Sequence, residues 1–275
     1  MALFRSKDLQ IQRNGKVQFL SKHPTVDQLA REISVGLDPA FLPQHSRVLI
    51  YVGVHKRFGL DFFRPGFKVA VQTEQFLDQA GNSLWGQRKK NLKNNIFRAL
   101  QRADVFLDIN PQNMPFYDSF TLTQSQRRKL HFGPHIFPQV ASRFNPGISP
   151  KYAFFGGVKE RRKMVLETVQ NVDIALIPEG TYGDELYQHI SQSKGVANIH
   201  FEQGIYTESP RLLTAYLNGK VVLSEELAAP FVSGVHYIPL DDAAVDWDHK
   251  AIFERFSQLV CGDLSFGRFL KDIGA

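Results

Sequence analysis

Cysteine is almost missing from this 275-residue chain: Cys261 stands alone, so no disulfide can close within it. A lone cysteine fits a reducing compartment, and a cytoplasmic protein is expected. No apolar run approaches the roughly 18 residues of a membrane-spanning helix. Residues 1–16 carry no continuous apolar segment behind their charges, so a secretory signal is not expected either. Several nucleotide and metal signatures are also lacking. No Gly-Lys-Ser/Thr closes a phosphate loop, no G-x-G-x-x-G is present, and no H-E-x-x-H pairs histidines on a helix. The nine His show no close ligand spacing. His131 and His135 are the nearest pair, but Pro134 between them marks a loop. The single Asp-x-Asp, Asp246-Trp247-Asp248, opens a predicted helix, where acids suit the dipole and the cap. No metal site is expected.

What is present is aromatic and basic. Phenylalanine is abundant, 23 residues against 2 Trp and 8 Tyr, and the net charge is +6 with a pI near 9.3. Such a balance favours anionic partners: nucleotides, nucleic acid, phosphorylated lipids or a membrane surface. The cations cluster at 86–102, 125–129 and 159–163.

Along the chain, apolar runs alternate with amphipathic stretches. After a polar lead-in, a short strand is expected at 17–20, then a helix begun by Pro24 and Thr25. "RVLIYVGV" (47–54), "FKVAVQTEQF" (67–76) and "DVFLDIN" (104–110) read as strands covered on both faces, with a basic helix at 88–102. "FNPGISPKY" (144–152) reads as a linker. Strand–helix alternation then restarts and runs to two closing helices near 246–260 and 263–272. The pattern predicts an α/β protein of two Rossmann-like domains, 1–147 and 148–275.

Ligands in open α/β sheets sit beyond the carboxyl ends of the strands. Three junctions of the second half carry suitable groups there. In "FFGGVKERR", Gly156 and Gly157 permit close approach of a phosphate to a helix N-terminus, and Arg161 and Arg162 offer forked donors. In "IPEGTYGDEL", the loop around Gly180, Tyr182 and Gly183 suits a nucleobase, or is a plain turn. In "NIHFEQGIYTESPRLL", Ser209 and Pro210 begin a helix whose first turn holds Arg211. A cation beside the positive end of a helix implies a nearby anion.

In order and spacing these segments resemble the C-terminal domain of GT-B fold glycosyltransferases, "family 1" branch, similar to spore-maturation glycosyltransferase-like proteins. The carrying motifs are Gly156-x4-Arg161-Arg162, Ala197-Asn198-Ile199-His200, Glu208-x-x-Arg211 and Val222-Leu223-Ser224-Glu225. In the first half "VAVQTEQF" and "LHFGPHIFP" match more loosely. The resemblance covers roughly residues 47 to 240. It implies two domains facing across a cleft, with a reduced N-terminal half on the acceptor side. It also implies transfer from a nucleotide-diphosphate sugar to a glycan, lipid-linked or small-molecule acceptor, with no metal or other cofactor. The diphosphate would meet Gly156, Gly157, Arg161, Arg162, Ser209 and Arg211. Asn198, His200 and Glu208 would face ribose or sugar, with Tyr182 on the donor side. Tyr206 and Thr214 stand where many retaining members carry two Glu, so the stereochemistry stays open.

An inverting enzyme needs a base on the acceptor side. Glu74, at the end of a strand, comes first, with His55 and Asp108 as rivals. Two other functions stay in view. The basic helix with Trp85 and Phe97 would suit a nucleic-acid-modifying enzyme, and the absent Glu pair would suit a nucleotide-binding scaffold without turnover.

Overall fold

The protein, described here from a computed structural model over residues 9–78, 80–85, 89–169 and 172–275, is α/β, with one mixed and one parallel sheet. The chain divides into two compact units. One is the segment up to Gln139 together with Asp263–Ala275, and the other is Val140–Gly262.

The first unit opens with a hairpin, β1 (Leu9–Arg13) and β2 (Val17–Ser21), paired antiparallel. Its three-residue turn, 14–16, opens with Asn14-Gly15, both at positive φ (50° and 66°), and Lys16 N donates to Arg13 O. The reading of a polar lead-in is thus corrected over residues 9–16, while residues 1–8 lie outside the described residues. β1 is a half-buried edge strand whose alternation is masked by glutamines, and the Asn-Gly pair was its overlooked signal. α1 (Pro24–Gly36) follows, with Pro24 in its first turn and the His23 ring accepting from Thr25 N. Then come β3 (Val48–Val52), β4 (Phe67–Gln72), α2 (Lys89–Arg102), β5 (Val105–Asp108), α3 (Met114–Asp118), α4 (Gln124–Arg128) and β6 (Leu130–Phe132). Residues 86–88 of the basic segment lie outside the described residues. β2 to β6 are parallel, and the sheet order β1-β2-β3-β4-β5-β6 follows the chain without reversal. β3 is buried throughout, as its unbroken apolar run implies. One face, Leu49, Tyr51, Ala70 and Phe106, packs on Ile96 and Leu100 of α2 and on Phe116 and Tyr117 of α3.

The second unit holds β7 (Tyr152–Phe154), α5 (Glu160–Thr168), β8 (Ile174–Leu176), α6 (Gly183–Gln192), β9 (Gly195–Asn198), α7 (Ser209–Leu217), β10 (Val221–Ser224), β11 (Ile238–Pro239) and α8 (His249–Gly262). All its strand pairs are parallel, in the order β11-β10-β9-β7-β8. The chain steps from β7 to β8 on one side, then returns to the other side for β9. The order therefore reverses at β7, giving a doubly wound, Rossmann-like sheet with a switch point between β7 and β9.

Two boundaries differ from expectation. Segment 144–152 is not a free linker, because it is fixed to the second unit. The amides of Ile148 and Ser149 donate to Gln192 O, and the buried Lys220 Nζ donates to the carbonyls of Asn145, Ser191 and Ser193 at 2.7–3.0 Å. The division falls at 139/140 instead of 147/148. Residues 263–275, expected with the second domain, return to the first unit. There α9 (Phe266–Asp272) sets Phe266 against Phe19 and stacks Phe269 on His135, contacts that no local periodicity announces.

Candidate active site

The switch point of the second unit is where its charged residues converge. β7 ends at Phe154 and runs into Gly156-Gly157, while β9 ends at Asn198 and runs into Ile199-His200. Arg162, in the first turn of α5, spans the crevice. Its Nε donates to Ile199 O (2.9 Å), its Nη1 to Gly157 O (2.9 Å), and its Nη2 to both oxygens of Glu208 (2.6 and 2.8 Å). Arg211, in the first turn of α7, donates through Nη1 to Asn198 Oδ1 (2.6 Å) and to Glu208 Oε2, and through Nη2 to Phe155 O (3.3 Å). Its Nε is buried with no partner in the structure. The anion that its place in the helix called for is therefore Glu208, at the N-cap position of the same helix, whose side chain pairs with arginines and makes no cap hydrogen bond. Gly156, at φ +101°, is required here. A side chain on it would stand 3.3 Å from Arg211 Nη2.

Glu208 is the hub. It also accepts from Phe201 N (2.9 Å). Burial alone would raise its carboxyl, but the Arg211 and Arg162 guanidiniums outweigh that and hold it below the usual carboxylate range. Arg161 points the other way, donating to His200 O (2.7 Å) and forming a forked pair with Glu225 at the end of β10. Three guanidiniums thus pair with two carboxylates at the carboxyl ends of the strands, with the Glu179 carboxylate also close to Gly157 and the Glu202 charge acting on Arg161. Beside Glu225 opens a cavity of about 650 Å³, lined among others by Val165, Val169, Ser224, Tyr237 and Leu240.

Of the expected donor residues, Gly156, Gly157, Arg161, Arg162, Asn198, His200, Glu208, Ser209 and Arg211 share this junction. Beyond Glu208 and Arg211, which pair with each other, roles differ from the expectation at three more positions. Asn198 is fully buried, donating to Ser224 Oγ (2.9 Å) and accepting from Arg211, so it braces the arginine. Burial keeps the His200 imidazole neutral, and its Nε2–H donates to Glu226 O (2.8 Å) while the ring packs on Tyr206. Arg162 spends its donors on the protein. Tyr182 stands apart, exposed at the N-cap of α6. Glu225 was given no role from sequence. An acid closing a strand beside the one bearing Asn198 was the signal. Asp248 does cap α8, accepting from Ala251 N (2.9 Å). Among the described residues no group of three or more His, Cys, Asp or Glu is arranged to hold a metal.

In the first unit the three candidate bases also gather at the carboxyl strand ends. His55 follows β3, Glu74 follows β4 and Asp108 ends β5. His55 Nε2 lies 3.6 Å from Glu74 Oε1. Burial, with Lys56 adding to it, drives the His55 pKa down to about 3, so this contact is not an ion pair at neutral pH. Glu74 keeps 38% of its side chain exposed, which limits the upward push its packed surroundings exert. Asp108 is sealed. Tyr117 Oη (2.6 Å), Asn113 Nδ2 (3.0 and 3.1 Å) and Asn110 N (2.9 Å) all donate to it, leaving no face for a substrate. Asn113, not anticipated from sequence, also donates to Glu74 O (2.8 Å) and so ties the sealed carboxyl to the loop bearing Glu74.

Neither a scan against protein-family models nor a search of curated proteins finds a match to this chain. No helix among the described residues is long and apolar enough to cross a membrane.

Proposed function

We propose that the second unit binds a nucleotide-diphosphate sugar and that the chain is a metal-independent glycosyltransferase of GT-B type. The observation that carries this reading is the convergence of three guanidiniums at the carboxyl ends of β7 and β9, with Arg161 partly open to water. They lie at a switch point, where open α/β sheets take ligands, beside a cavity of about 650 Å³. A diphosphate would compete with Glu225 for Arg161. As the bond from the sugar to the diphosphate breaks, charge grows on the leaving oxygen, and preorganised donors stabilise it without rearranging. Arg161 is the group best able to turn to the diphosphate, since 22% of its side chain is open to water and Glu225 is its only side-chain partner among the described residues. In an inverting transfer Glu74 takes the proton of the acceptor hydroxyl while that oxygen bonds to the sugar carbon. A retaining route leaves Glu74 without this task.

A second reading is favoured by one observation. Arg162 and Arg211 are already held by Glu208, as suits a scaffold that binds a nucleotide without turnover. Thermal-shift screening against UDP-, GDP-, CMP- and dTDP-sugars tests nucleotide binding in both. At a hundred times the dissociation constant a ligand adds about 2.7 kcal/mol of stability. A nucleotide-sugar that raises the melting temperature and is slowly hydrolysed supports the enzyme, whereas a rise without hydrolysis or transfer supports the scaffold. No response to any nucleotide ends both.

A further inference from the structure

The first unit carries a surface that its sheet does not need. Between β3 and β4 the chain makes a single 3-10 turn, Gly59–Phe63. Phe62 points inward and stacks on Tyr51 at 4.4 Å, with Phe58 against the same ring, and Tyr51 Oη donates to Asp61 O. The turn is thus fixed from beneath. In a 3-10 helix residues three apart eclipse, so Leu60 and Phe63 share the outer face. They are 82% and 67% exposed.

Arg102 lies against this pair, and further cations follow along α2. Arg102, at the end of α2, lays its guanidinium 4.1 Å from the Phe63 ring centroid. Residues four apart on α2 line one side of the helix, and there Lys90, Arg98 and Arg102 are exposed, with Asn94 between. No acidic residue occurs from 79 to 103. Arg57, just ahead of the turn, is exposed as well. Two acids lie close by. Asp61 is answered by Lys22 (2.7 Å) and Arg64 (2.8 Å), and Asp104 accepts from Lys68 N (2.8 Å).

We infer that this face docks on an anionic lipid surface, with Leu60 and Phe63 entering the headgroup boundary and Arg57, Lys90, Arg98 and Arg102 meeting lipid phosphates. Apolar tips beside cations are what a peripheral membrane contact requires. A nucleic acid fits less well. Arg102 covers one face of the Phe63 ring where a base would stack, and Leu60 has no group for a phosphate or a base edge. The long basic side chains reach headgroups while their stems lie along apolar surface.

Vesicle co-sedimentation tests this on the full chain, with phosphatidylcholine alone and with phosphatidylcholine mixed with phosphatidylglycerol. Wild type should bind the anionic vesicles and release them as salt is raised. Arg98→Gln with Arg102→Gln should weaken partitioning roughly 25-fold, about fivefold per charge. Leu60→Ser with Phe63→Ser should weaken it at least about tenfold. All four side chains are exposed, and circular dichroism confirms that the variants fold. In Leu60→Trp, emission should shift to the blue on anionic vesicles only. Equal binding to both vesicle types, no binding, or a serine pair that binds like wild type overturns the inference. So does tight binding of a single-stranded RNA oligonucleotide at the same salt with no emission shift on vesicles, which would assign the face to nucleic acid.

Discussion

Replacing Glu208 with glutamine keeps the shape of the side chain and removes the only carboxylate, among the described residues, that reaches both Arg162 and Arg211. Both arginines are buried, at 5% and 7% exposure, so water cannot take over. The amide offers one acceptor oxygen for two guanidiniums and turns an N–H₂ toward one of them. Stripping one partner from a buried pair costs about 3–5 kcal/mol, because the uncompensated charge stays inside. For a chain of this size each kcal/mol moves the melting temperature by roughly 2–4 °C. Thermal melting at pH 7 should therefore show a loss on the order of 10 °C. The wild type can be taken toward the same state by acid. Glu208's carboxyl is held below its ordinary value, so its contribution is full above the unfolded value. It is lost as pH falls through the folded one. The gap between wild type and variant should then narrow at low pH. Adding Arg211→Met to Glu208→Gln should cost less than the two changes summed, by about 0.5–3 kcal/mol. A variant melting within about 2 °C of wild type, less than roughly 1 kcal/mol, would refute the hub.

Three further outcomes are expected. Burial lifts the Asp108 pKa from 3.8 to about 7, against the pull of Tyr117, Asn110 and Asn113. The folded state then binds the extra proton, so stability falls as pH rises from about 4 to about 7 and is flat above, about 4 kcal/mol in all. Urea titrations of Asp108→Asn should lack that component, and an unchanged pH slope would contradict it. Gly156→Ala places a methyl at φ +101° against Arg211 and should cost about 1–3 kcal/mol in chemical denaturation, whereas a neutral result would free that position. Glu74→Gln should leave donor binding intact and slow transfer about 10²–10⁴-fold if Glu74 is the base. Unchanged turnover at saturating donor would favour a retaining route.

Much of this architecture is written locally. Runs such as "VLIYV", the helix start at Pro24 and the cap at Asp248 declare their elements, and two of the three expected strand-to-helix junctions, at Gly156 and at 198–211, converge, whereas the third, around Tyr182, stands apart. What could not be read was partnership. The position of Arg211 called for an anion, but only the fold shows that Glu208, three residues earlier, provides it while also holding Arg162. The pair is a local i,i+3 contact, but the crossing of Glu208 to Arg162 on α5 is set by tertiary approach, which leaves no periodic trace. The same holds for His200 and Asn198, polar residues at a strand end that proved to be buried braces. α9 was legible as a helix but not in its attachment, since Phe266 and Phe269 would suit any apolar surface.

The central claim is that the switch point of the second unit holds a diphosphate. Isothermal titration of UDP, GDP, CDP and dTDP, each beside its nucleoside, tests it most directly in wild type and Arg161→Ala. We expect at least one diphosphate to bind more tightly than its nucleoside. Arg161→Ala should weaken that diphosphate by about 1.5–3 kcal/mol, the worth of a charge-assisted bond, and leave the nucleoside unchanged. Equal loss for nucleoside and diphosphate, or no binding of any of the four, would contradict the account.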